Sequence, residues 1–192
     1  MSKITGLKST SKKNFQLDAG ALYKNWAIGT DTPATANAKL IGATQGGATI
    51  AITPEIRQME VDGAKGAVKG LEVIESWAAT LTATVKEVTP DTIQLALADS
   101  TISTTAVTGY TKIVPGEDLA DADYMTNVAW VGKLLGASDP IVIILKNTVS
   151  LNGWNLQVQD KNEGGVPLVL TAHYDVADLD SVPIEIYMPT VS

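Results

Sequence analysis

The chain contains one histidine, His173, in the run LVLTAHYDV, two residues before Asp175. A histidine backed by a carboxylate is the arrangement of a general base. On a strand, however, residues two apart share a face without having to touch. No Gly-x-Ser-x-Gly elbow and no cysteine nucleophile accompany the pair. The expectation is therefore a hydrogen-bonded structural histidine. Clustered carboxylates could hold calcium, and two clusters occur: Glu117, Asp118, Asp121 and Asp123, then Asp175, Asp178 and Asp180. Neither has the EF-hand spacing or its central glycine, so both read as solvated loops. Gly63, Gly66 and Gly70 with Lys65 and Lys69 suggest a phosphate cradle, but the Gly-Lys-Ser/Thr spacing is missing and no helix follows. A protruding flexible loop is the better reading. Trp26, Trp77, Trp130 and Trp154 fall on strand-like runs and are expected in the core, a stacking platform being the lesser alternative. No catalytic residue, cofactor ligand or metal site is expected.

The elements around these residues read mostly as strands. The run 14–26 suggests a first strand bent at Gly20, and 27–40, rich in Thr, Ala, Asn and Pro, is a long loop. Ile50 and Ile52 alternate until Pro54, which demands an edge strand or a bulge. The apolar parity then switches at Met59 and Val61, again fitting a bulge. Trp77, Ala79, Leu81, Ala83 and Val85 share one face of the next strand, opposite Thr80, Thr82, Thr84 and Lys86. Thr89-Pro90-Asp91 starts a short helix whose buried stripe is Ile93, Ala96 and Leu97. Further strands are expected over 105–114, 124–135, 140–146, 151–160, 166–176 and 182–188. The fourth and fifth of these form a hairpin closed by the Gly-containing KNEGG. The expected fold is mainly β: two packed antiparallel sheets, as a sandwich or open barrel, with one short flanking α-helix and long loops. The domain organisation is a single unit over 1–192, with a flexible N-terminal arm at 1–13 and long loops at 27–40 and 60–70.

Composition narrows function. A net charge of −7, from 14 basic and 21 acidic residues, is the wrong sign for gripping nucleic acid. Cysteine is absent, which excludes disulfides and thiolate metal sites and suits a reducing cytoplasm. The start has lysines but no apolar core after them, and the longest apolar run, Ile141 to Leu145, is far too short to span a bilayer, so no signal peptide and no membrane partner are expected.

Four stretches, LDAGALYKNW at 17–26, IGATQGGATIAITPEIRQMEVDGAKGAVKG at 41–70, SWAATLTATVKEVTPDTI at 76–93 and VPLVLTAHYDVADLDSVPIEIYMP at 166–189, carry a resemblance. In that order, along nearly the whole chain, they resemble the tail tube (major tail) proteins of long-tailed, non-contractile bacteriophages. The resemblance implies a non-enzymatic virion protein, made in the bacterial host cytoplasm and located in the virion tail. It implies self-assembly into hexameric rings stacked as a hollow tube, with tape-measure and tail-tip or terminator proteins as partners. Double-stranded DNA would be present only in transit. On this reading Asp62, Gly63, Lys65, Gly66, Lys69 and Gly70 form the inter-ring loop, with 27–40 as the alternative segment. Glu55, Asp62 and Glu72 are the expected bore carboxylates. Two other readings fit the same residues: a tube subunit of a contractile tail or related injection machine, and a β-sandwich carbohydrate-binding module with its tryptophans in a row.

Overall fold

Alternating runs of Val, Ile, Leu and Thr build an antiparallel sheet system with little helix. A computed structural model describes residues 5–191; Lys3 and the rest of 1–4 in the expected N-terminal arm lie outside the described residues. The strands are β1 (Ala21–Lys24), β2 (Thr44–Gln58), β3 (Glu72–Val85), β4 (Ser100–Ser103), β5 (Lys112–Pro115), β6 (Met125–Gly132), β7 (Ile141–Ser150), β8 (Gln157–Gln159), β9 (Asn162–Thr171) and β10 (Ile184–Tyr187). The helix α1 (Pro90–Leu97) follows β3. The main hydrogen-bonded path runs β1-β6-β7-β9-β3-β2, with β10 on β7 and β8 on β9, while β4 and β5 form a separate small sheet. The fold is mainly β with one short helix, as expected.

The path folds back on itself at one corner. The first part of β7 pairs with β6 and with β10, through Val142↔Tyr187 to Leu145↔Ile184. Its last residues, Val149 and Ser150, pair instead with β9. Between them Asn147 adopts φ 47°, a left-handed conformation that asparagine tolerates better than most residues. The turn brings the β1-β6-β7 half face to face with the β3-β9 half. Leu22, Val128, Trp130 and Leu145 from one half meet Leu81, Val85, Leu168 and Leu170 from the other in one core.

β6 from Val128 and β7 up to Leu145 are buried or half-buried on both faces, which explains the unbroken apolar runs 128–131 and 141–145. Val128 and Trp130 point into the main core, while Ala129 and Val131 join Tyr23, Trp26, Ala36, Val142 and Ile144 in a second cluster. The 27–40 segment places Ala36 in that second cluster and is otherwise mostly exposed. Its Asp31 takes the Ala27 N–H at 2.7 Å and the Lys39 ammonium. Two glycines admit Trp130. A Cβ on Gly20, which has φ +68°, would stand 2.4 Å from the indole Nε1, and one on Gly132 would stand 2.2 Å from the ring. The indole N–H donates to the Ala19 carbonyl at 2.9 Å.

The helix begins as its sequence requires. Thr89 accepts the Thr92 N–H at 3.2 Å, and Thr92 Oγ1 accepts the Thr89 N–H at 2.9 Å. Threonine thus fills the place that glutamate usually takes in a capping box. The buried residues of α1 are Thr92 and Ala96, with Leu95 against the core, so of the expected stripe Ala96 is buried while Ile93 and Leu97 are only half-buried. Thr92 Oγ1 also donates to the Glu87 carbonyl at 2.9 Å, and that bond holds this face inward.

Several element boundaries differ from expectation. The run 14–26 forms a strand only over Ala21–Lys24, because Ser11–Asn14 closes a 3₁₀ turn. The Lys13 and Phe15 carbonyls then accept from Gly136 and Leu135 at 2.8 and 3.0 Å, so the expected free arm is already docked by residue 13. The stretch 105–114 is mostly turns between β4 and β5. Residues 151–156 are not a strand, and the hairpin turns at Asp160-Lys161, on the first residue of KNEGG and not at its glycines; Lys161 takes the left-handed position at φ 61°, and Asn162 to Gly165 lie inside β9.

Candidate functional site

β3 pairs with β9 only from Thr80 to Val85, yet its pairing with β2 continues outward to Glu72↔Gln58. Residues 53–58 and 72–78 therefore leave the body as a two-stranded ribbon, roughly 20 Å long at the usual rise per residue. A lone hairpin is marginal in water. Its base is fastened where the Trp77 N–H donates to Tyr174 Oη at 2.8 Å. Register shifts by one residue between Glu55 and Ile56, leaving Glu75 as the extra residue of a bulge. Glu75 uses that position to pair with Arg57, while Ser76 Oγ donates to Glu55 at 2.9 Å. A bulge sharpens local twist and re-aims the strands beyond it.

The ribbon exposes apolar surface. Ile56 and Ile74 lie directly opposite each other and are 56 % and 52 % exposed. Met59, Val61 and Val68 continue the exposure into the tip. The tip closes with the Met59 N–H donating to the Leu71 carbonyl at 2.8 Å. Gly63 and Gly70 occupy left-handed positions at φ +86° and +91°, whereas Gly66 does not. Asp62, Lys65 and Lys69 are exposed around them. The six expected loop residues thus come together on one projecting tip. The alternative, 27–40, seats Ala36 in the second core cluster and exposes most of its other residues.

The three expected bore carboxylates do not converge. Glu55 stands in the middle of the ribbon, Glu72 at its outer end, where it accepts the Gly70 N–H at 3.2 Å, and Asp62 in the tip. They are spread along one arm.

The sheet borders differ from one another. β1, at one end of the path, is partly capped by its own chain: Tyr23 bridges Leu40, and the Ile41 N–H donates to the Leu22 carbonyl at 2.9 Å. β2 lies at the opposite end, and among the described residues no strand pairs with its outer edge. From Thr44 to Pro54 that edge strand carries no charge. Long uncharged edges are the ones natural proteins usually protect. Pro54 sits on this edge strand, as its missing N–H requires.

His173 lies beyond the end of β9 and braces the corner of β7. Its ring Nδ1 stands 3.1 Å from the Asn147 carbonyl, which can only accept, so Nδ1 carries the proton. Asn147 Nδ2 donates to the His173 carbonyl at 3.2 Å, and Tyr124 meets the imidazole edge-on. Asp175 accepts the Ala177 N–H at 2.9 Å within its own turn. The cleft here, about 420 Å³, is lined by Asp121, Tyr124, His173 and Asp175 among others. Asp123 caps its own 3₁₀ turn through the Ala120 N–H at 2.7 Å, and no metal-competent cluster occurs among the described residues. Trp26 and Trp130 are buried and Trp77 is half-buried, but Trp154 is 41 % exposed, against the expectation of a core position. No described helix is long and apolar enough to cross a membrane.

The ion pair of Lys146 with Glu185 fastens β10 to β7, and sequence reading did not find it. The Lys146 ammonium, then the Tyr187 hydroxyl donating at 2.6 Å, holds the Glu185 carboxyl below its ordinary range, and the same carboxylate raises the Tyr187 phenol. Asp31 is lowered chiefly by Lys39 and then by the Ala27 N–H. Each has its partner nearby in the fold and serves to hold a local element.

Comparison with known proteins leaves the geometry to speak for itself: no family model matches the chain, and no curated protein matches it.

Proposed function

We propose that this chain is a non-enzymatic, self-assembling tube subunit, the tail tube protein of a long-tailed bacteriophage. Its copies close into hexameric rings that stack into a hollow conduit for DNA. The observation that carries the reading is the unpartnered β2–β3 arm, joined to a bare β2 edge. An isolated protein gains nothing from exposing Ile56, Ile74 and an uncharged strand edge, whereas a subunit whose neighbours cover them does. An edge of one copy meeting a different border of the next, such as β10, is a heterologous contact, and such contacts close into rings or run on as tubes.

In this assembly the tip around Gly63 to Gly70 reaches the adjacent ring. Asp62 and Glu72 travel with it, and Glu55 lies nearer the body. Tape-measure and tail-tip or terminator proteins are the other partners, and the tail of the virion is the location. The tube of a contractile machine would use the same surfaces. A carbohydrate module draws less support, because two of the four tryptophans are buried and only Trp154 is exposed among the described residues. Sedimentation of the purified protein over a wide concentration range tests the proposal. The expected result is a step from the 20.1 kDa subunit to rings and larger particles. A 20.1 kDa species at every concentration, also with tail-tip complexes present, contradicts it.

A further inference from the structure

One asparagine of this chain is placed to modify itself. Asn152 precedes Gly153, and no other asparagine of the sequence precedes a glycine. The pair lies on the connection from β7 to β8, and both residues are exposed. Gly153 adopts φ +70°, and a Cβ built on it would meet nothing within 4 Å. Its N–H donates to no group among the described residues, and the Asn152 side chain makes no hydrogen bond among them. Other asparagines are held or hindered. Asn127 exchanges two hydrogen bonds with Trp26, accepting at 2.8 Å and donating at 3.1 Å. The Asn147 amide donates to the His173 carbonyl at 3.2 Å, and a β-branched threonine follows it. Asn155 is exposed on the same connection as Asn152, but the next residue is Leu156, half-buried against the main core. Asp62-Gly63, in the tip of the arm, has an equally open glycine. It offers a carboxylate, which is a poorer electrophile than an amide.

We infer that Asn152 is a site of spontaneous deamidation through a cyclic imide. The Gly153 backbone nitrogen gives its proton to hydroxide and attacks Asn152 Cγ. A new N–C bond forms there, the bond from Cγ to the side-chain nitrogen breaks, and that nitrogen takes a proton from water and leaves as ammonia. Water then opens the ring at either carbonyl. Opening at Cγ gives aspartate. Opening at the backbone carbonyl carbon of residue 152 gives isoaspartate, with the chain running through the former side chain. One water is consumed, one ammonia is released, and nothing is oxidised or reduced. Glycine favours closure because it has no Cβ to shield its nitrogen and moves freely among backbone conformations. An exposed connection supplies both water and mobility. The product adds one negative charge to a chain already at −7. It sets that charge beside Leu151 and Trp154, which are 57 % and 41 % exposed. Asn152 and Gly153 belong to neither core cluster, so the change falls on the surface. The inference concerns the single subunit and does not depend on the tube reading.

The test holds the full chain in warm, mildly alkaline buffer, dilute enough to sediment as the 20.1 kDa subunit. Samples taken over time are digested, and residues 152 and 155 are followed by tandem mass spectrometry, with chromatography to separate aspartate from isoaspartate. The expected result is conversion at Asn152 roughly tenfold or more faster than at Asn155, the ratio that a barrier lower by about 1.4 kcal/mol gives. Both product forms are expected. Gly153→Ala should slow the conversion sharply. Should that variant fail to fold, Asn152→Gln serves instead: its ring would be one atom larger, and residue 152 should then stay unchanged over the same period. The folded chain should react about as fast as the same chain in urea, because the fold leaves the pair free. Protection of roughly tenfold or more by folding would show that the connection is closed against the reaction, and it overturns the inference. Equal rates at Asn152 and Asn155, or a rate unchanged in Gly153→Ala, also overturn it.

Discussion

The body and the arm of this protein are made from the same two strands under opposite rules. In the body, β3 buries Ala79, Leu81, Ala83 and Val85 almost completely between β2 and β9. Five residues before Ala79 the same strand exposes Ile74 opposite Ile56, with no third strand paired there among the described residues. The difference lies in neighbours rather than in composition. Where β9 supplies a partner, alternation yields a core; where β9 ends, apolar residues are left for another molecule. The body accounts for why the chain folds, and the arm accounts for what it is proposed to do.

This contrast can be broken most forcefully from the body side. Leu168 is fully buried on β9 in the main core. Replacing it by alanine is expected to cost about 2–5 kcal/mol, as large-to-small core changes do, read as a drop in thermal midpoint. An effect below about 1 kcal/mol would mean that the two halves do not share one core. Next comes the corner of β7. His173→Ala removes the imidazole from the Asn147 carbonyl, and a loss of about 1–3 kcal/mol is expected from the unsatisfied group. A neutral result would assign the corner to Asn147 alone. The arm should behave oppositely. Changing Ile56 and Ile74 together to serine is expected to leave stability of the unassembled subunit within roughly 0.5 kcal/mol, while abolishing large particles in sedimentation. Unchanged assembly would remove the arm from the interface.

The smallest effect concerns β10. Glu185 is held below the ordinary glutamate value of 4.5, first by Lys146 and then by Tyr187. A depressed carboxylate stabilises the fold above its unfolded pKa, and that contribution disappears as pH falls through the lower folded value. The pair is about a third exposed on both sides, at 36 % and 35 %. A surface-type contribution of about 0.2–1 kcal/mol is the appropriate scale. The stability gap between the wild type and Glu185→Gln should therefore be present near neutrality and close as the pH drops below 4.5. A gap that widens on acidification would reverse the assignment.

Much of this was legible in the residues, for identifiable reasons. The β3 alternation was readable because one face is wholly buried and the other carries threonine. Thr89-Pro90-Asp91 announced α1 because capping is local chemistry. Pro54 announced an edge because it lacks an N–H. Gly46-Gly47, by contrast, form a bulge inside β2, with Gln45 opposite Thr84 and Ala48 opposite Ala83, and no local rule places that bulge. The alternation of Trp154 and Leu156 misled because strand pairing there depends on β9, whose hairpin turns through Lys161. The apolar run of β7 stops at Leu145, before Lys146-Asn147-Thr148, but the bend at Asn147 was not readable there, since only the strand's change of partner reveals it. The projecting tip was signalled by Gly63, Lys65, Lys69 and Gly70. The length of the arm was not, because it is set by where a distant strand stops.

The central claim is that the bare β2 edge and the arm are completed by sister copies. Negative-stain electron microscopy of concentrated protein, beside the Ile56/Ile74 serine variant, tests it most directly. The account predicts hollow cylinders of stacked rings for the wild type and none for the variant. Isolated subunits at every concentration, or cylinders that form equally well without the two isoleucines, would contradict it.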